Sequence, residues 1–386
     1  MKSKTKIQWF TALGAAFAWF GNQCGAGFCS GITLLNYFSN AGYISIITSL
    51  IPFLILAFVF FYMGEYSRLI HADSYKDVAT TLYSHNKKVS QIMLFIYDIV
   101  VVICCIINSS AVLAGAATFL EEALGVDYTL GTIITLVIIV VISMFGATIM
   151  ARIDLPLGII MTVSILIVTG VLINENWSGL QQIVVAQQTF DVTLDQAFLN
   201  ALTYTGMQAG FCSTYIAIAG KFTSKNDNKV VAIVGMLING GMLFLVSLAV
   251  LSRMPGISGS LIPIYDMLLE RFGTGSVLTV IYSLGLFLAY ISIGDVVAVI
   301  SRFSPWLNRH NKYNQNIINM TLGIFVLVLS LALAQFGILA IIKTGYSIVG
   351  FLRWPTFILG GLVFAPWRIH QMKKKNQLEK DLEEIK

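Results

Sequence analysis

The residues best suited to chemistry lie in one run, Gly21-Asn22-Gln23-Cys24-Gly25-Ala26-Gly27-Phe28-Cys29-Ser30-Gly31, inside an apolar segment from Ile7 to Tyr37. The chemistry on offer is mainly that of the backbone. Each glycine inside a helix costs about 1 kcal/mol relative to alanine, so this run makes a poor continuous helix. In lipid, backbone freed from a helix is tolerated only where it lines a cavity or is buried in protein. A membrane helix broken here would offer carbonyls at the end of its first half, suited to a cation, and amides at the start of its second, suited to a carboxylate. That places cation recognition at Gln23 and Cys24, and solute recognition at Gly25, Ala26, Gly27 and Ser30. The competing reading is a glycine-rich face that lets two helices pack closely.

A recurrence favours the break. Ala26-Gly27-Phe28-Cys29-Ser30 returns letter for letter as Ala209-Gly210-Phe211-Cys212-Ser213, inside a second apolar segment from Leu194 to Gly220. Glycine-interrupted segments at matching places in two halves of a chain point to a transporter's binding site. The second copy adds Tyr204, Thr205, Gly206, Gln208 and Gly210 as candidates to face the solute. Tyr204 would cap it and Gln208 would read a polar group, the alternative for each being an ordinary interhelical hydrogen bond.

These residues need long apolar elements to hold them. The chain has 386 residues, 57% hydrophobic and 11% charged, with a mean hydropathy of +0.81. Soluble domains carry roughly 25% charged residues, so this is an integral membrane protein built of α-helices rather than a barrel. About ten spans are expected: Ile7–Tyr37, Tyr43–Ile70, Val89–Leu120, Leu130–Met150, Leu155–Ile173, Leu194–Gly220, Val230–Leu251, Ser276–Ile300, Ile317–Ile342 and Tyr346–Trp367. With the N-terminus cytoplasmic, all but four of the 24 Lys and Arg residues fall on the cytoplasmic side, as the positive-inside rule asks. The exceptions are Arg253, Arg271, Lys343 and Arg353. Both termini are therefore expected in the cytoplasm, and the net charge of +5 carries no implication of nucleic acid. The five cysteines, all in apolar segments, suggest neither disulfides nor a metal site. The Lys-rich start imitates a signal peptide, but the apolar stretch behind it is too long for one.

The two halves match in layout. Each opens with a motif-bearing span and carries a short helix after its second span. The first is signalled by Ser74-Tyr75-Lys76-Asp77, a capping box, and the second by Ser260 through Asp266 with Pro263. The plan is one of five helices repeated with inverted topology: residues 1–175, then 190–368, followed by a charged cytoplasmic tail at 369–386.

Gly25-Ala26-Gly27-Phe28-Cys29-Ser30-Gly31 resembles the glycine-rich signature in the first helix of YkvI-like bacterial membrane proteins. The stretch Ala114-Gly115-Ala116-Ala117-Thr118-Phe119-Leu120-Glu121-Glu122-Ala123-Leu124-Gly125 resembles that family's small-residue run ending in Glu-Glu and a glycine, and the Ser74-Tyr75 start also fits. The resemblance implies the amino acid–polyamine–organocation superfamily and its LeuT-like five-plus-five inverted repeat, with helices 1 and 6 broken. It further implies a secondary transporter in the bacterial cytoplasmic membrane, coupled to sodium or protons. The family places an acid two positions beyond Gly31, where this chain has Thr33. That departure bears on specificity and coupling.

Two carboxylates lie within spans, Asp98 and Asp295. An ionised Asp at mid-helix costs about 2.5–3.5 kcal/mol on insertion scales. Asp295 precedes Arg302 by seven residues, about 10 Å of helix, which puts it in the cytoplasmic half of span eight, with Ser292 one turn earlier on the same face. In the fold this chain resembles, that half-span supplies hydroxyls to a sodium ion, which makes Ser292 and Asp295 the cation-coupling candidates. A protonatable Asp295 and a water-exposed Asp near the vestibule are the alternatives. Asn108, midway along span three, is a further solute candidate, Asn239 and Glu65 read as structural polar residues, and Arg353 as an outer gate or a snorkelling side chain.

The expected function is cation-coupled alternating access for an amino acid or related zwitterion, with the lipid bilayer and a small solute as partners. Beyond a bound sodium ion or a coupling proton, no cofactor is expected. Nothing resembles a nucleophile–base pair or a phosphate loop, so an enzyme is not expected. A ligand-binding sensor like the nutrient-receptor subunits of spore-formers, and a passive facilitator, stay open. Solute, ion, direction and oligomeric state are not legible.

Overall fold

The structure, a computed structural model, describes residues 7–83, 86–144, 162–290, 294–309 and 314–374, and its regular structure there is entirely helical. Five helices are each long and apolar enough to cross a bilayer: Ile51–Ile70, Lys87–Leu124, Lys225–Leu251, Gln315–Ala334 and Ile338–Lys374. They are spans two, three, seven, nine and ten. Span four is observed as Tyr128–Met144 and span five as Thr162–Glu175; their expected ends at Met150 and Leu155 lie outside the described residues. Span eight is described as Val277–Tyr290 and Gly294–Leu307, and residues 375–386 of the expected tail also lie outside.

Several boundaries move. Span two starts at Ile51 with Pro52 in its first turn, after a 3-10 segment Ser39–Ile44 that takes up the expected start. Spans nine and ten part at Gly337, whose φ of +82° ends one helix and leads into the next. Lys343 and Gly345, expected between the spans, instead form part of a π-helical turn inside span ten. Span five ends where Asn176 folds its side-chain amide back onto Leu172 O at 2.9 Å. A second helix, Trp177–Val185, then leaves at 69°, an element the sequence pattern did not announce.

Both short connector helices are present. Tyr75–Thr81 opens on the capping box of Ser74 and Asp77, and Pro263–Phe272 opens on Pro263. Such ends satisfy amides that a helix cannot satisfy internally.

Packing sorts the spans into two groups. Spans one, two, six and seven pack on one another, and spans three, four, eight and nine form the second set. Span ten lies along span six and also meets spans two and three. Within the first group Trp19 stacks on Phe60 at 4.0 Å between ring centroids. Gly235 admits the indole from the other side, since a Cβ there would come within 2.3 Å of Trp19 Cε3. In the second group Asp98 pairs with Arg302 at 2.8 and 2.7 Å, and the Tyr75 hydroxyl donates to the same carboxylate at 2.7 Å. Asp98 is thus a structural tie between spans three and eight and the first connector.

Candidate solute and cation site

Span one breaks at Gly25. The helix Trp9–Gln23 ends with Cys24 N donating to Phe20 O, and Gly25 is extended (φ −79°, ψ 179°). The chain then re-enters a helix over Ala26–Ser30, where the amides of Phe28 and Cys29 return to Gly25 O at 3.2 and 3.1 Å. A second stop follows at Gly31, whose φ of +87° favours glycine and where a Cβ would meet Ile264 at 2.9 Å. Ile32–Tyr37 completes the span. The break also marks a change of neighbours. Trp9–Gln23 packs on span seven, whereas Ala26–Ser30 packs on spans three and eight and on the second connector.

Span six is interrupted at the matching place, but less deeply. Leu194–Gln208 gives way to a 3-10 turn at Ala209–Phe211 before Cys212–Ala219 resumes. The two motif copies share local geometry. Ser30 Oγ donates to Gly27 O at 3.3 Å and Ser213 Oγ to Gly210 O at 2.8 Å, while Cys29 and Cys212 are both fully buried. They differ in what precedes them. Gly25 can open the chain to an extended conformation, whereas Gln208 stays helical (φ −78°, ψ −8°), so the second interruption only tightens.

The candidates fall into three sets. Gln23, Cys24, Gly25, Gly27 and Ser30 lie at the break itself, with Gln23, Gly27 and Ser30 buried; Ala26 begins the second helix. Gly27 has no room for a side chain, because a Cβ would sit 2.0 Å from Thr33 Oγ1. Tyr204 and Gln208 face this region. Gln208 Nε2 donates to the Tyr204 hydroxyl at 2.9 Å, and the Tyr204 ring meets Tyr37 and Phe38 of span one at 6.1 and 5.1 Å.

Thr205, Gly206 and Gly210 make other contacts. Thr205 Oγ1 donates to Ala201 O in its own helix at 2.7 Å. Gly206 and Gly210 face span ten, where a Cβ would lie 2.1 Å from Gly350 O in one case and 2.6 Å from the Arg353 guanidinium in the other. Asn108 is half-buried midway along span three. Ser292 lies outside the described residues, and Asp295 falls in the first turn of Gly294–Leu307.

Arg353 does not snorkel to the surface. Only 5% exposed, it donates from Nη1 to Met207 O in span six. Glu65 is likewise buried, held by Arg68 through two bonds of 2.8 Å.

Four buried polar atoms around the break have no hydrogen-bond partner: Gln23 Oε1, Asn239 Oδ1, Thr33 Oγ1 and the Tyr290 hydroxyl. A buried group left unpaired costs about 1–3 kcal/mol, so such a cluster takes up ordered water or a polar ligand. The first two are amide oxygens from opposite halves of the chain. Gln23 Nε2 donates to Asn239 O at 3.3 Å, and Asn239 Nδ2 to Gly235 O at 2.8 Å, which turns both oxygens away from these bonds. Neutral oxygen donors suit a hard cation such as sodium, so these residues fit one. Tyr282 donates to Cys29 O and Tyr290 lies fully buried against Gly115, where a Cβ would be 2.5 Å from its ring. Neither tyrosine nor the Asn239 oxygen stood out in the sequence, because tyrosine is ordinary in apolar segments and a lone Asn reads as interhelical glue.

No family profile matches the chain, and no curated protein matches it by sequence. Solved structures do. A Na+-coupled sialic acid symporter in a substrate-bound outward-open state aligns with a TM-score of 0.66 at 13% identity, over 91% of this chain and 79% of the symporter. MhsT in complex with L-phenylalanine aligns at 0.63 and 13% identity, over 93% and 89%. Mhp1 in its inward-facing conformation aligns at 0.59 and 12% identity, over 88% and 72%. The chain has the LeuT-like fold of these proteins. It is an all-helical multi-pass membrane protein, with the five-plus-five inverted repeat and helices 1 and 6 interrupted.

Proposed function

We propose that this chain is a cation-coupled secondary transporter of an amino acid or related small zwitterion, working by alternating access. The observation that carries the proposal is the place of the span-one break. Span one touches both helix groups there, with Trp9–Gln23 and Ile32–Tyr37 packing on span seven and Ala26–Ser30 on spans three and eight, and unpartnered polar atoms from spans one, seven and eight gather around it. A solute or cation held at such a point touches both groups, so its binding biases how they sit against each other. The fold shared with Na+-coupled symporters supports the same reading, as do the two short motifs that resemble the YkvI-like family.

In this reading Gln23 and Asn239 hold the cation through their amide oxygens, beside the carbonyl end of Trp9–Gln23. Ser292 and Asp295 remain a second proposed cation position, with Asp295 as the proton-coupling alternative. The amides that open Ala26–Ser30 take the solute carboxylate, with Gly27 leaving room for the Thr33 hydroxyl beside them. Tyr204 and Gln208 cover the solute from span six, and Thr33, Ser30 and Tyr290 supply hydroxyls. Asn108, Thr205, Gly206 and Gly210 line or support the cavity from spans three and six. The protein sits in a bacterial cytoplasmic membrane with both termini inside.

The test is thermal stability of the purified protein in sodium against potassium. A ligand at 100 times its dissociation constant adds about 2.7 kcal/mol to stability. Sodium is expected to stabilise the wild type, and Asn239→Ala to lose that gain while staying folded. An undiminished sodium response in Asn239→Ala would move the cation elsewhere, and Asp295→Asn would then be compared.

A further inference from the structure

Span six carries a second helix end in mid-span, and its charge arrangement differs from that of span one. The helix Leu194–Gln208 passes into the 3-10 turn with Thr205 O and Gly206 O still accepting from Ala209 N, and Met207 O is among its last carbonyls, at the negative pole of that half-helix. Arg353 of span ten meets that end. Its Nη1 donates to Met207 O, and its guanidinium lies over Gly210, where a Cβ would come within 2.6 Å of Cζ, Nη1 and Nη2 alike. The side chain is 5% exposed, and none of the ion pairs among the described residues includes it. A fixed cation therefore sits at the carbonyl end of one half-helix. The carbonyl end of the other has the neutral, unpartnered oxygens of Gln23 and Asn239 beside it.

We propose that Arg353 is a tethered cation for the interrupted sixth span, so that this break holds its shape without an exchangeable ion. The glycine of the second motif copy then has a defined purpose, which is to let a planar guanidinium lie flat on the turn. Arg353 is a positioning residue: it acts through Met207 and Gly210 on the shape of span six. If the transporter reading above holds, the exchangeable cation belongs beside the break of span one and not at that of span six. The assay below involves neither solute nor sodium, so its failure would leave that reading standing, and the reverse is equally true.

The experiment is chemical rescue in sodium-free potassium buffer. Purified Arg353→Ala is expected to melt several degrees below the wild type. Guanidinium chloride at tens of millimolar is expected to restore much of that loss, where equal concentrations of potassium chloride or urea do not. The wild type should gain nothing from guanidinium. The proposal is overturned if Arg353→Ala melts with the wild type, if guanidinium fails to raise its melting temperature, or if urea restores it equally well. Should Arg353→Ala not yield folded protein, Arg353→Lys and Arg353→Gln decide. Lysine keeps the charge without the planar fork and is expected to be the more stable of the two. A glutamine variant equal to or better than the lysine one would show that charge is not what the site uses.

Discussion

Gly27 faces Thr33 too closely to be enlarged without consequence. Gly27→Ala is expected to destabilise by about 1–3 kcal/mol, the usual cost of overpacking. Thr33→Ala should be neutral or slightly stabilising, since it removes a buried hydroxyl without a partner. In the double variant the clash with Oγ1 is gone, and a coupling above roughly 0.5 kcal/mol is expected. Additive melts would show that the contact carries no energy. On the second connector helix, two acids one turn apart titrate with opposite sign. Burial pushes Asp266 above the usual carboxylate range, partly offset by the Ser260 hydroxyl, whereas the bond and charge of Arg253 pull Glu270 below it. Native Asp266 therefore holds a proton that the unfolded chain has released, and its stability contribution is lost as pH rises through that raised value. The contribution of Glu270 is present above its ordinary value and is lost as pH falls through its lowered one. Melts against pH should show Asp266→Asn and Glu270→Gln changing the profile in opposite directions. A change in the same direction would contradict both assignments. At this scale the glycine run and its repeat were legible, because glycine density inside an apolar segment has few physical explanations. The partner of Arg353 was not, because Met207 lies 146 positions away and offers only a backbone carbonyl.

Span ten shows what an element can do that its residues do not reveal singly. Pro355 lacks an amide, and the π-turn Trp354–Ile358 around it loosens the local hydrogen-bond ladder. Thr356 O accepts from both the Tyr83 and Tyr97 hydroxyls, at 2.7 and 2.6 Å. Removing one hydroxyl leaves the other in place, so Tyr83→Phe and Tyr97→Phe should each be mild. The double variant leaves a buried carbonyl without either donor and should cost about 1–3 kcal/mol, more than the sum of the singles. Simple additivity in thermal melts would contradict this shared acceptor. Against span six the same helix makes backbone contact, with Gly206 and Gly350 too close for side chains, and Trp354 Nε1 donates to Leu202 O at 3.0 Å. Spans six and ten are thus expected to move as one piece. The element boundaries were the least legible feature of the sequence. Apolar residues run almost unbroken from span nine into span ten, and only backbone geometry selects Gly337 over Gly345 as the stop. The unequal depth of the two breaks has a local cause, since the identical five residues follow Gly25 in one copy and Gln208 in the other.

For the whole molecule, two groups of four helices share one apolar core, and span one, which packs on span seven on both sides of its break, meets the other group through Ala26–Ser30. The repeat was legible because its halves carry the same signals in the same order. The grouping was not, since it depends on pairings such as Asp98 with Arg302, 204 positions apart. An arrangement of this kind transports when a ligand at the break biases the two groups. It would serve equally as a sensor if no flux followed. Accumulation separates the two most directly. The purified protein is reconstituted into proteoliposomes and loaded against an inward sodium gradient with the twenty radiolabelled proteinogenic amino acids in turn. The account predicts at least one amino acid concentrated above its external level, with the excess abolished by a sodium ionophore and by Gly27→Leu. Saturable binding of an amino acid with no accumulation under any cation gradient would contradict it.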